Sequence, residues 1–480
     1  MANEKQRKLH AIVFPLPYQG HINPLVNLAL KIASKGLAVT FVHLEFVHRK
    51  LSKAHHNKTT DVDFFSEARE SGLDIRYATI SDAFPLEFDR DANFPQYWDF
   101  LFRDFPAYVD EFIGKIVQSD LNSDYFLIAD ACYAWPGTIA AKYNLVNVVF
   151  STEAAQVFCL VYHWDLLSEN DHAPIKGNID HVEIDYVPGA KSINTKDLMT
   201  YLADPESIVS EALYAGLYLD NKKADFILHN TVHELEFEAL SALNKHQPNY
   251  AVGPTNLFKD NATNTVSKSL WPQSDCAKWL ESKSPGSVLY VSFGSLVQTS
   301  KQVIEEMANG LLLSEVNFIW VVREGILDSG DTNHVLPVGF EDEINDKGLI
   351  VPWCDQIMVL SNPAVGGFLT HNGWNSTLES MWCGVPMICY PITYDQPTNA
   401  KLVVDDWKIG IRLCDYGVSV DRKVVAEKIK SFMSEKSFRE EAEKVKETYQ
   451  NALKNDGSSE RNFDQFINDL KKKLACRIDN

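Results

Sequence analysis

The sequence predicts an α/β protein made of two doubly wound domains, each built on a parallel sheet. Short apolar segments recur along the chain and are separated by stretches of helix length, the pattern of parallel strands that are buried on both faces. A polar stretch after Pro254 interrupts this alternation once, and the alternation then begins again. The chain has 480 residues, more than one hydrophobic core usually serves, so two domains are expected.

The predicted strands are continuous apolar runs. In the first half they cover residues 9–15, 38–43, 75–80, 125–129, 146–150 and 226–229. In the second half they cover residues 288–293, 318–322, 349–351, 365–370 and 387–390. A final helix is predicted over residues 458–475, because apolar residues recur there at helical spacing and must pack on another part of the protein. These apolar residues are Phe463, Phe466, Ile467, Leu470 and Leu474.

The same pattern divides the chain. We predict an N-terminal domain over residues 1–254, a linker over 255–272, a second domain over 273–457 and a C-terminal helix over 458–480. Doubly wound sheets bind their ligands at the carboxyl ends of the strands. The cleft between the two domains is therefore the expected ligand site.

Composition excludes several classes of partner. The formal net charge is −20, with 65 acidic and 45 basic residues, whereas nucleic acids and anionic membranes attract basic surfaces. No stretch approaches the ~20 apolar residues of a membrane-spanning helix, and prolines interrupt the apolar run near the N-terminus, so neither stable membrane insertion nor a signal peptide is expected. The eight cysteines form no C-x-x-C pair, which favours reduced thiols and a cytoplasmic location.

The most informative segment covers residues 353–396. It opens with Trp353, an aromatic side chain that can stack on a base, and continues with an apolar strand. That strand leads through residues 371–376 to the start of a helix that carries Glu379. The first backbone N–H groups of a helix lack intrahelical partners and the helix dipole is positive there, so a diphosphate can bind at this point.

In order and spacing this segment resembles the donor-binding signature of the plant UDP-sugar-dependent glycosyltransferases, glycosyltransferase family 1. The matching positions are Trp353, Gln356, His371, Gly373, Trp374, Asn375, Ser376, Glu379, Asp395 and Gln396. The resemblance implies the GT-B fold, in which two Rossmann-like domains face each other across a cleft and the last helix returns to the N-terminal domain. Asp355 and Thr393 depart from the family, where proline and tryptophan are frequent.

The resemblance also implies a role for each position. Trp353 would stack on uracil while the Cys354 backbone pairs with its edge, and Gln356 and Glu379 would bind the ribose hydroxyls. The residues implied for the diphosphate are His371, Asn375, Ser376 and Ser295, and Gly373 is a further position of the donor signature. The residues implied for the sugar are Trp374, Asp395, Gln396 and Thr152. A glutamine at the last position generally accompanies glucose in this family.

His21 and Asp130 are the candidates for a catalytic pair. Gly20 and His21 are predicted in the loop that follows the first strand, at the carboxyl end of the sheet. Imidazole titrates near neutral pH, so His21 can take the proton of an attacking hydroxyl. The string from Gly20 to Pro24 resembles the family's G-H-x-x-P motif, and Asp130 matches the family's carboxylate that orients this base. Without the resemblance, the position of His21 is also typical of a packing residue, and that of Asp130 is also typical of a helix N-cap.

No metal or other cofactor is predicted, and the UDP-sugar serves as co-substrate. Two Asp-x-Asp strings occur, at residues 61–63 and 89–91, but neither follows a parallel strand within the donor motif. Phosphate-binding strings of the G-x-x-x-x-G-K-[ST] or G-x-G-x-x-G type are absent from the sequence. Aromatic residues between positions 84 and 112 are suited to a flat or lipophilic acceptor. The predicted acceptor contacts are Phe84, Phe94, Trp98, Phe158 and Tyr394.

The predicted activity is that of a UDP-glycosyltransferase. It would transfer a glycosyl group, with glucose as the predicted sugar, to a hydroxyl of a lipophilic secondary metabolite such as a terpenoid or phenolic, with inversion. Two alternatives stay open: a UDP-sugar hydrolase or epimerase on the same fold, and a non-catalytic UDP-sugar-binding protein. The predicted partners are the UDP-sugar and the acceptor, without nucleic acid, and the predicted state is a monomer.

Overall fold

The computed structural model describes residues 7–54, 63–173, 181–202, 207–255, 269–328, 335–415 and 417–478. The strands are β1 (Lys8–Phe14), β2 (Ala38–Leu44), β3 (Ile75–Ile80), β4 (Ser123–Asp130), β5 (Val146–Ser151), β6 (Glu183–Ile184), β7 (Ile193–Asn194), β8 (Phe226–His229), β9 (Asn249–Ala251), β10 (Val288–Ser292), β11 (Asn317–Val321), β12 (Gly348–Val351), β13 (Val365–Thr370), β14 (Met387–Cys389) and β15 (Gly410–Arg412).

The helices fill the connections between the strands. They are α1 (Gln19–Ser34), α2 (Glu45–Ala54), α3 (Ser66–Glu70), α4 (Phe94–Arg103), α5 (Phe105–Ser119), α6 (Pro136–Lys142), α7 (Ala155–Tyr162), α8 (Trp164–Glu169), α9 (Ile208–Leu213), α10 (Phe237–Leu243), α11 (Ala277–Glu281), α12 (Lys301–Ser314), α13 (Phe340–Glu343), α14 (Gln356–Leu360), α15 (Trp374–Cys383), α16 (Gln396–Lys401), α17 (Arg422–Ser434), α18 (Ser437–Ala452) and α19 (Ser458–Ile478).

Two parallel sheets organise the chain. The first has seven strands in the order β3-β2-β1-β4-β5-β8-β9, and the second has six in the order β12-β11-β10-β13-β14-β15. Every strand predicted from the sequence is present. Strands β9 and β15 were not predicted, because each has only three residues and lies at a sheet edge, where an apolar run is not required. The short antiparallel pair of β6 and β7 was also missed.

The strand order places the ligand site. In the first sheet the order reverses between β1 and β4, and in the second it reverses between β10 and β13. At such switch points the connecting segments turn to opposite faces of the sheet and leave a crevice at the carboxyl ends. His21 follows β1 and Asp130 ends β4, whereas His371 follows β13. The predicted catalytic and donor residues therefore lie at the two crevices.

The terminal helix α19 packs on the first sheet. The ring of Phe466 lies 5.7 Å from that of Phe226 in β8 and 5.8 Å from that of Tyr250 in β9. The hydroxyl of Tyr250 donates to Oδ2 of Asp469 at 2.9 Å. All five apolar residues predicted for this helix are buried.

The domain limits stay a prediction, and residues 256–268 of the predicted linker lie outside the described residues. Within the described part of the chain, no helix combines the length and apolar character that crossing a membrane requires.

Candidate active site

A cavity of about 600 Å³ is lined by residues that follow strands of both sheets. All residues predicted for the sugar donor line it, and so does the predicted base His21. The donor residues are Thr152, Ser295, Trp353, Cys354, Gln356, His371, Gly373, Trp374, Asn375, Ser376, Glu379, Asp395 and Gln396. Asp130 lies behind His21 and is completely buried.

His21 lies in the first turn of α1, so its predicted place in the preceding loop was wrong. The helix begins at Gln19, because Tyr18 takes an extended conformation and its carbonyl already accepts the backbone N–H of His21 at 2.9 Å. The short loop after β1 therefore leads directly into the helix. This position fixes the direction of the imidazole more firmly than a loop would.

His21 and Asp130 form a hydrogen-bonded pair. Nδ1 of His21 lies 2.7 Å from Oδ2 of Asp130, and Oδ1 of Asp130 accepts the backbone N–H of Cys132 at 3.0 Å. The hydroxyl oxygen of Thr152 lies 3.0 Å from the same Nδ1. Because Nδ1 faces the carboxylate, Nε2 is the ring nitrogen left for a ligand. This is the arrangement in which a carboxylate orients a general base.

The surroundings also adjust the pKa of His21. Burial lowers it, but the charge and hydrogen bond of Asp130, together with the charge of Asp395, outweigh burial and raise the pKa above its usual 6.5. The imidazolium that forms after proton transfer is therefore stabilised. Burial raises the pKa of Asp395 to about 6.

The N-terminus of α15 forms the end of the cavity that is predicted to bind the diphosphate. Asn375 and Ser376 occupy its first turn, where backbone N–H groups have no intrahelical acceptor. Burial lowers the pKa of His371 to about 4, so this side chain is a neutral hydrogen-bonding group here. Glycine is required beside it, since a Cβ at Gly294 or Gly373 would lie 2.5 Å from Nε2 of His371. Among the described residues that line the cavity, none is lysine or arginine.

Gln356 and Glu379 form the pair predicted for the ribose. Nε2 of Gln356 donates to Oε2 of Glu379 at 2.7 Å and to Oγ of Ser376 at 3.1 Å, and its Oε1 accepts the hydroxyl of Tyr290 at 3.3 Å. Asp355, in the position where proline is frequent in the family, caps α14 by accepting the backbone N–H of Met358 at 3.0 Å. The departure at Asp355 therefore preserves the helix start that places Gln356.

The predicted base-stacking residue Trp353 already has an aromatic neighbour. The ring of Trp271 is stacked on it at a centroid distance of 4.6 Å and an interplanar angle of 29°. The neighbouring Cys354 is buried, and its sulfur lies 3.6 Å from the hydroxyl oxygen of Tyr290. Trp271 was not identified from the sequence, because its contact with Trp353 joins segments that are distant in the chain.

Asp395 and Gln396, the residues predicted to bind the sugar at the end of the motif, already use some of their side-chain oxygens in hydrogen bonds within the protein. Oε1 of Gln396 accepts the backbone N–H groups of Ile392 and Thr393, each at 2.9 Å. Oδ2 of Asp395 accepts Nδ2 of Asn399 at 2.7 Å. The side-chain NH₂ of Gln396 and the second oxygen of Asp395 are therefore the groups that this end offers to a sugar.

Contacts between the two halves shape the same region. The indole N–H of Trp374 donates to the backbone oxygen of Asn230 at 2.9 Å. The hydroxyl oxygen of Thr393, the second departure from the family pattern, lies 3.0 Å from that of Thr200. Thr200 also accepts the backbone N–H of Tyr394 at 2.7 Å. The segment near Thr200 thus holds the end of the donor motif in place.

The predicted acceptor residues separate into two groups. Trp98 and Tyr394 line the cavity, whereas Phe84, Phe94 and Phe158 are not among its lining residues. Phe84 stacks on Phe88, Phe94 lies beside Trp98, and Phe158 packs against His229 in the core. The cavity is lined instead by residues that the sequence did not single out. They are Leu16, Tyr18, Cys132, Glu153, Tyr201 and Leu213.

The Asp-x-Asp strings have structural partners. Arg90 forms a buried ion pair with Asp82 at 2.7 Å, and Asp89 accepts the backbone N–H groups of Asp91 and Ala92. In the other string, residues 61 and 62 lie outside the described residues, and Asp63 pairs with Arg69.

Within the described ranges, His21, Asp130 and Cys132 alone have the spacing of metal ligands. The first two already bind each other, and burial raises the pKa of the Cys132 thiol, which disfavours a thiolate ligand.

Comparison with known proteins identifies the family of this chain. A family model described as "Glycosyltransferase, N-terminal domain" matches residues 8–257, and one described as "UDP-glucoronosyl and UDP-glucosyl transferase" matches residues 212–452. UDP-glycosyltransferase 86A1 of Arabidopsis thaliana is 46% identical over 100% of this chain and 98% of its own. A 7-deoxyloganetin glucosyltransferase of Catharanthus roseus is 32% identical over 98% of each chain.

Solved structures show the same fold. A UDP-glucose:anthocyanidin 3-O-glucosyltransferase in complex with UDP has a TM-score of 0.80 and 24% identity, covering 97% of this chain and 100% of its own. Phytolacca americana UGT2, complexed with UDP-2fluoro-glucose and pterostilbene, has a TM-score of 0.74 and 26% identity, covering 96% and 99%. The predicted GT-B fold is confirmed. The chain therefore belongs to the family of UDP-glycosyltransferases and is an enzyme of that class.

Proposed function

We propose that this enzyme transfers glucose from UDP-glucose to a hydroxyl of a lipophilic small molecule, with inversion at the anomeric carbon. The observation that carries the proposal is the 2.7 Å contact between Nδ1 of His21 and Oδ2 of Asp130 at the wall of the cavity. An oriented imidazole beside a sugar-donor site is the group that glycosyl transfer to an alcohol requires. The donor-binding roles predicted for residues 353–396, and for Ser295 and Thr152, are part of this proposal.

In the proposed reaction, Nε2 of His21 takes the proton of the acceptor hydroxyl while the oxygen attacks the anomeric carbon. The bond between that carbon and the diphosphate oxygen breaks, and its electron pair leaves with UDP. Asp130 stabilises the imidazolium that forms. The N-terminus of α15 and neutral His371 stabilise the negative charge on the leaving diphosphate. Attack on the face opposite UDP inverts the configuration.

Relatives and cavity chemistry support the choice of substrates. The Catharanthus relative and the anthocyanidin enzyme are both named as glucosyltransferases, and the Phytolacca structure holds a glucose-type donor analogue with pterostilbene. Aromatic and aliphatic side chains line the same cavity as His21, including those of Leu16, Tyr18 and Trp98. Such a lining favours lipophilic acceptors, with terpenoids and phenols as the chemical classes to test.

We also propose that the enzyme acts as a cytoplasmic monomer without a metal ion. All eight cysteines are free, which suits a reducing compartment. Residues of a single chain line both the donor and acceptor parts of the cavity, so catalysis does not call for a second copy. Size-exclusion chromatography with light scattering of the active fraction tests the monomer directly.

The test of the proposed function is transfer of radiolabelled glucose from UDP-glucose to a mixed library of terpenoid and phenolic alcohols. We expect labelled products whose anomeric proton coupling in NMR shows the β configuration. Release of free glucose at the same rate without an acceptor would favour the hydrolase, and conversion of UDP-glucose to an epimer would favour the epimerase. Donor binding without any turnover would leave the non-catalytic binding protein.

A further inference from the structure

Near Trp98 and Tyr201, the part of the cavity called here its acceptor end, several buried polar atoms have no well-aligned hydrogen-bond partner among the residues that the structure describes. The hydroxyl of Tyr201 and the indole N–H of Trp98 have no hydrogen-bond partner among the described residues, although these side chains are only 7% and 5% exposed. The hydroxyl of Tyr18 and Oε2 of Glu153 are buried as well and lack a well-aligned partner within the described part of the chain, although Tyr18 lies near Trp98 and Glu153 near Tyr201. All four residues line the cavity beside His21. A buried polar atom left unpaired is costly, so these atoms indicate a ligand that binds them.

Glu153 is the charged member of this set, and it follows Thr152 at the end of β5. Its carboxyl group lies close enough to Tyr201 for the two groups to interact, but the contact lacks the geometry of a hydrogen bond, so Oε2 and the hydroxyl have no well-aligned partner among the described residues. Burial, followed by the charges of Asp395 and Asp130, raises the pKa of Glu153 well above its usual value. A protonated carboxyl group both donates and accepts, as a hydroxyl partner requires.

The charge around this end of the cavity narrows the choice of ligand. Glu153, Asp395 and Asp130 lie close together around His21, and no lysine or arginine lines the described part of the cavity. An anionic group brought to this end meets the charges of Asp395 and Asp130, and no lysine or arginine of the described lining offsets them, which is unfavourable in a site of low dielectric. A neutral hydroxyl meets a carboxyl group and a phenol whose buried Oε2 and hydroxyl lack a well-aligned partner in the described ranges.

We propose that Glu153 and Tyr201 form a specificity site that binds a second hydroxyl of a neutral acceptor, one distant from the reacting hydroxyl, and that excludes acceptors carrying a carboxylate there. This inference rests on the proposed function, since it assigns that end of the cavity to the acceptor. The preferred substrates are accordingly lipophilic diols or polyphenols. Glu153 acts on acceptor choice and takes no part in proton transfer, which belongs to His21.

Three rigid naphthalenes test the proposal: 2-naphthol, 2,7-dihydroxynaphthalene and 7-hydroxy-2-naphthoate. Their dissociation constants are measured by isothermal titration calorimetry with UDP-saturated enzyme, and their kcat/KM values with UDP-glucose. We expect the diol to bind roughly tenfold or more tightly than 2-naphthol, the range that one buried hydrogen bond supplies, and the naphthoate to bind more weakly than either. In Glu153→Leu and in Tyr201→Phe, the ratio of the affinity for the diol to the affinity for 2-naphthol should fall close to one.

Further variants and readouts separate this role from a structural one. Glu153→Gln keeps the volume and a polar group, so it should retain part of the preference even if Glu153→Leu folds poorly. Glu238→Gln, which changes an exposed carboxylate on α10, is the control and should leave the ratio unchanged. Dissociation constants for UDP should be equal in all variants.

Several outcomes would overturn the assignment. They are equal affinities for diol and 2-naphthol in the unmodified enzyme, a diol preference that survives in Glu153→Leu, or naphthoate binding as tight as diol binding. A change in the preference between UDP-glucose and UDP-galactose without a change in the naphthol ratio would show that Glu153 faces the sugar. Discrimination in binding without any glucose transfer would refute the proposed function while supporting this inference.

Discussion

Nδ1 of His21 and Oδ2 of Asp130 lie 2.7 Å apart, although 109 positions separate the two residues in the chain. Their contact follows from the strand order, because β1 and β4 are neighbours in the first sheet and their carboxyl ends meet at one crevice. The side chain of Asp130 is fully buried, whereas that of His21 is 22% exposed at the cavity. The pair thus has an inner orienting member and an outer reactive member.

Replacement of His21 by alanine should reduce turnover on an alcohol acceptor by roughly 10²–10⁴-fold, the usual contribution of a general base. Binding of UDP should change little, because its predicted contacts lie at α15 and α14. Steady-state kinetics and calorimetric titration with UDP measure the two effects. His181→Ala, at an exposed histidine, is the control. Unchanged turnover would mean that another group takes the proton, and lost UDP binding would indicate a structural role.

The pH profile should report the raised pKa of His21. The base acts in its neutral form, so kcat/KM should fall as pH drops through a pKa above 6.5. Asp130→Asn removes the interaction that raises this pKa and leaves burial, which lowers it. The acidic limb should therefore move to lower pH while the maximal rate falls. Profiles of kcat/KM for both proteins provide the measurement, and a limb that stays in place would contradict the pairing.

Chelation should not affect activity. The N-terminus of α15 supplies positive potential for the diphosphate. Among the described residues, the one group with the spacing of metal ligands is His21, Asp130 and Cys132, in which His21 and Asp130 bind each other and Cys132 is a buried thiol. Full kcat after dialysis against EDTA is the expected result. Activity that disappears and then returns with Mn²⁺ or Mg²⁺ would refute metal independence.

Trp353→Ala should weaken UDP binding by about 1–3 kcal/mol, the usual loss when an aromatic side chain that stacks on a base is removed. The dissociation constant for UDP measured by calorimetry gives this value. Trp279→Ala serves as the control, because Trp279 does not line the cavity. An unchanged affinity for UDP in Trp353→Ala would indicate that the neighbouring Trp271 stacks on the base instead. The centroids of the two indole rings are 4.6 Å apart.

UDP-glucose should exceed UDP-galactose by at least roughly tenfold in kcat/KM, because an epimer leaves a buried polar group unpaired at a cost of about 1–3 kcal/mol. Gln396→Ala should narrow this gap, but it also removes Oε1 from the backbone of residues 392 and 393. Gln396→Glu keeps that oxygen and replaces only the NH₂ group, so it tests the sugar contact alone. Equal efficiencies in the unmodified enzyme would show that Gln396 does not distinguish the epimers.

Much of the donor site was predictable because its residues are close in sequence. Residues 353–396 form strand, turn and helix in succession, and local pattern is enough to place their side chains along one edge of a sheet. The first turn of α1 was harder to predict, since Pro24 lies inside that helix and the extended Tyr18 sets where it begins. The roles of the aromatic residues near position 84 were not predictable, because sequence periodicity does not distinguish a ring in the core from one that lines a cavity.

By itself the sequence determined the order of the predicted core strands, the position of the donor motif and, through the family resemblance, the two residues proposed for proton transfer. These features depend on local apolar runs and motif spacing, because a segment with such a run forms a strand or helix that buries its apolar side chains and pairs its backbone. Only the tertiary structure decided which distant side chains meet at the acceptor end. Glu153, Tyr201 and Trp98 belong to separate segments, and their meeting depends on sheet order and packing volume, which no local pattern records.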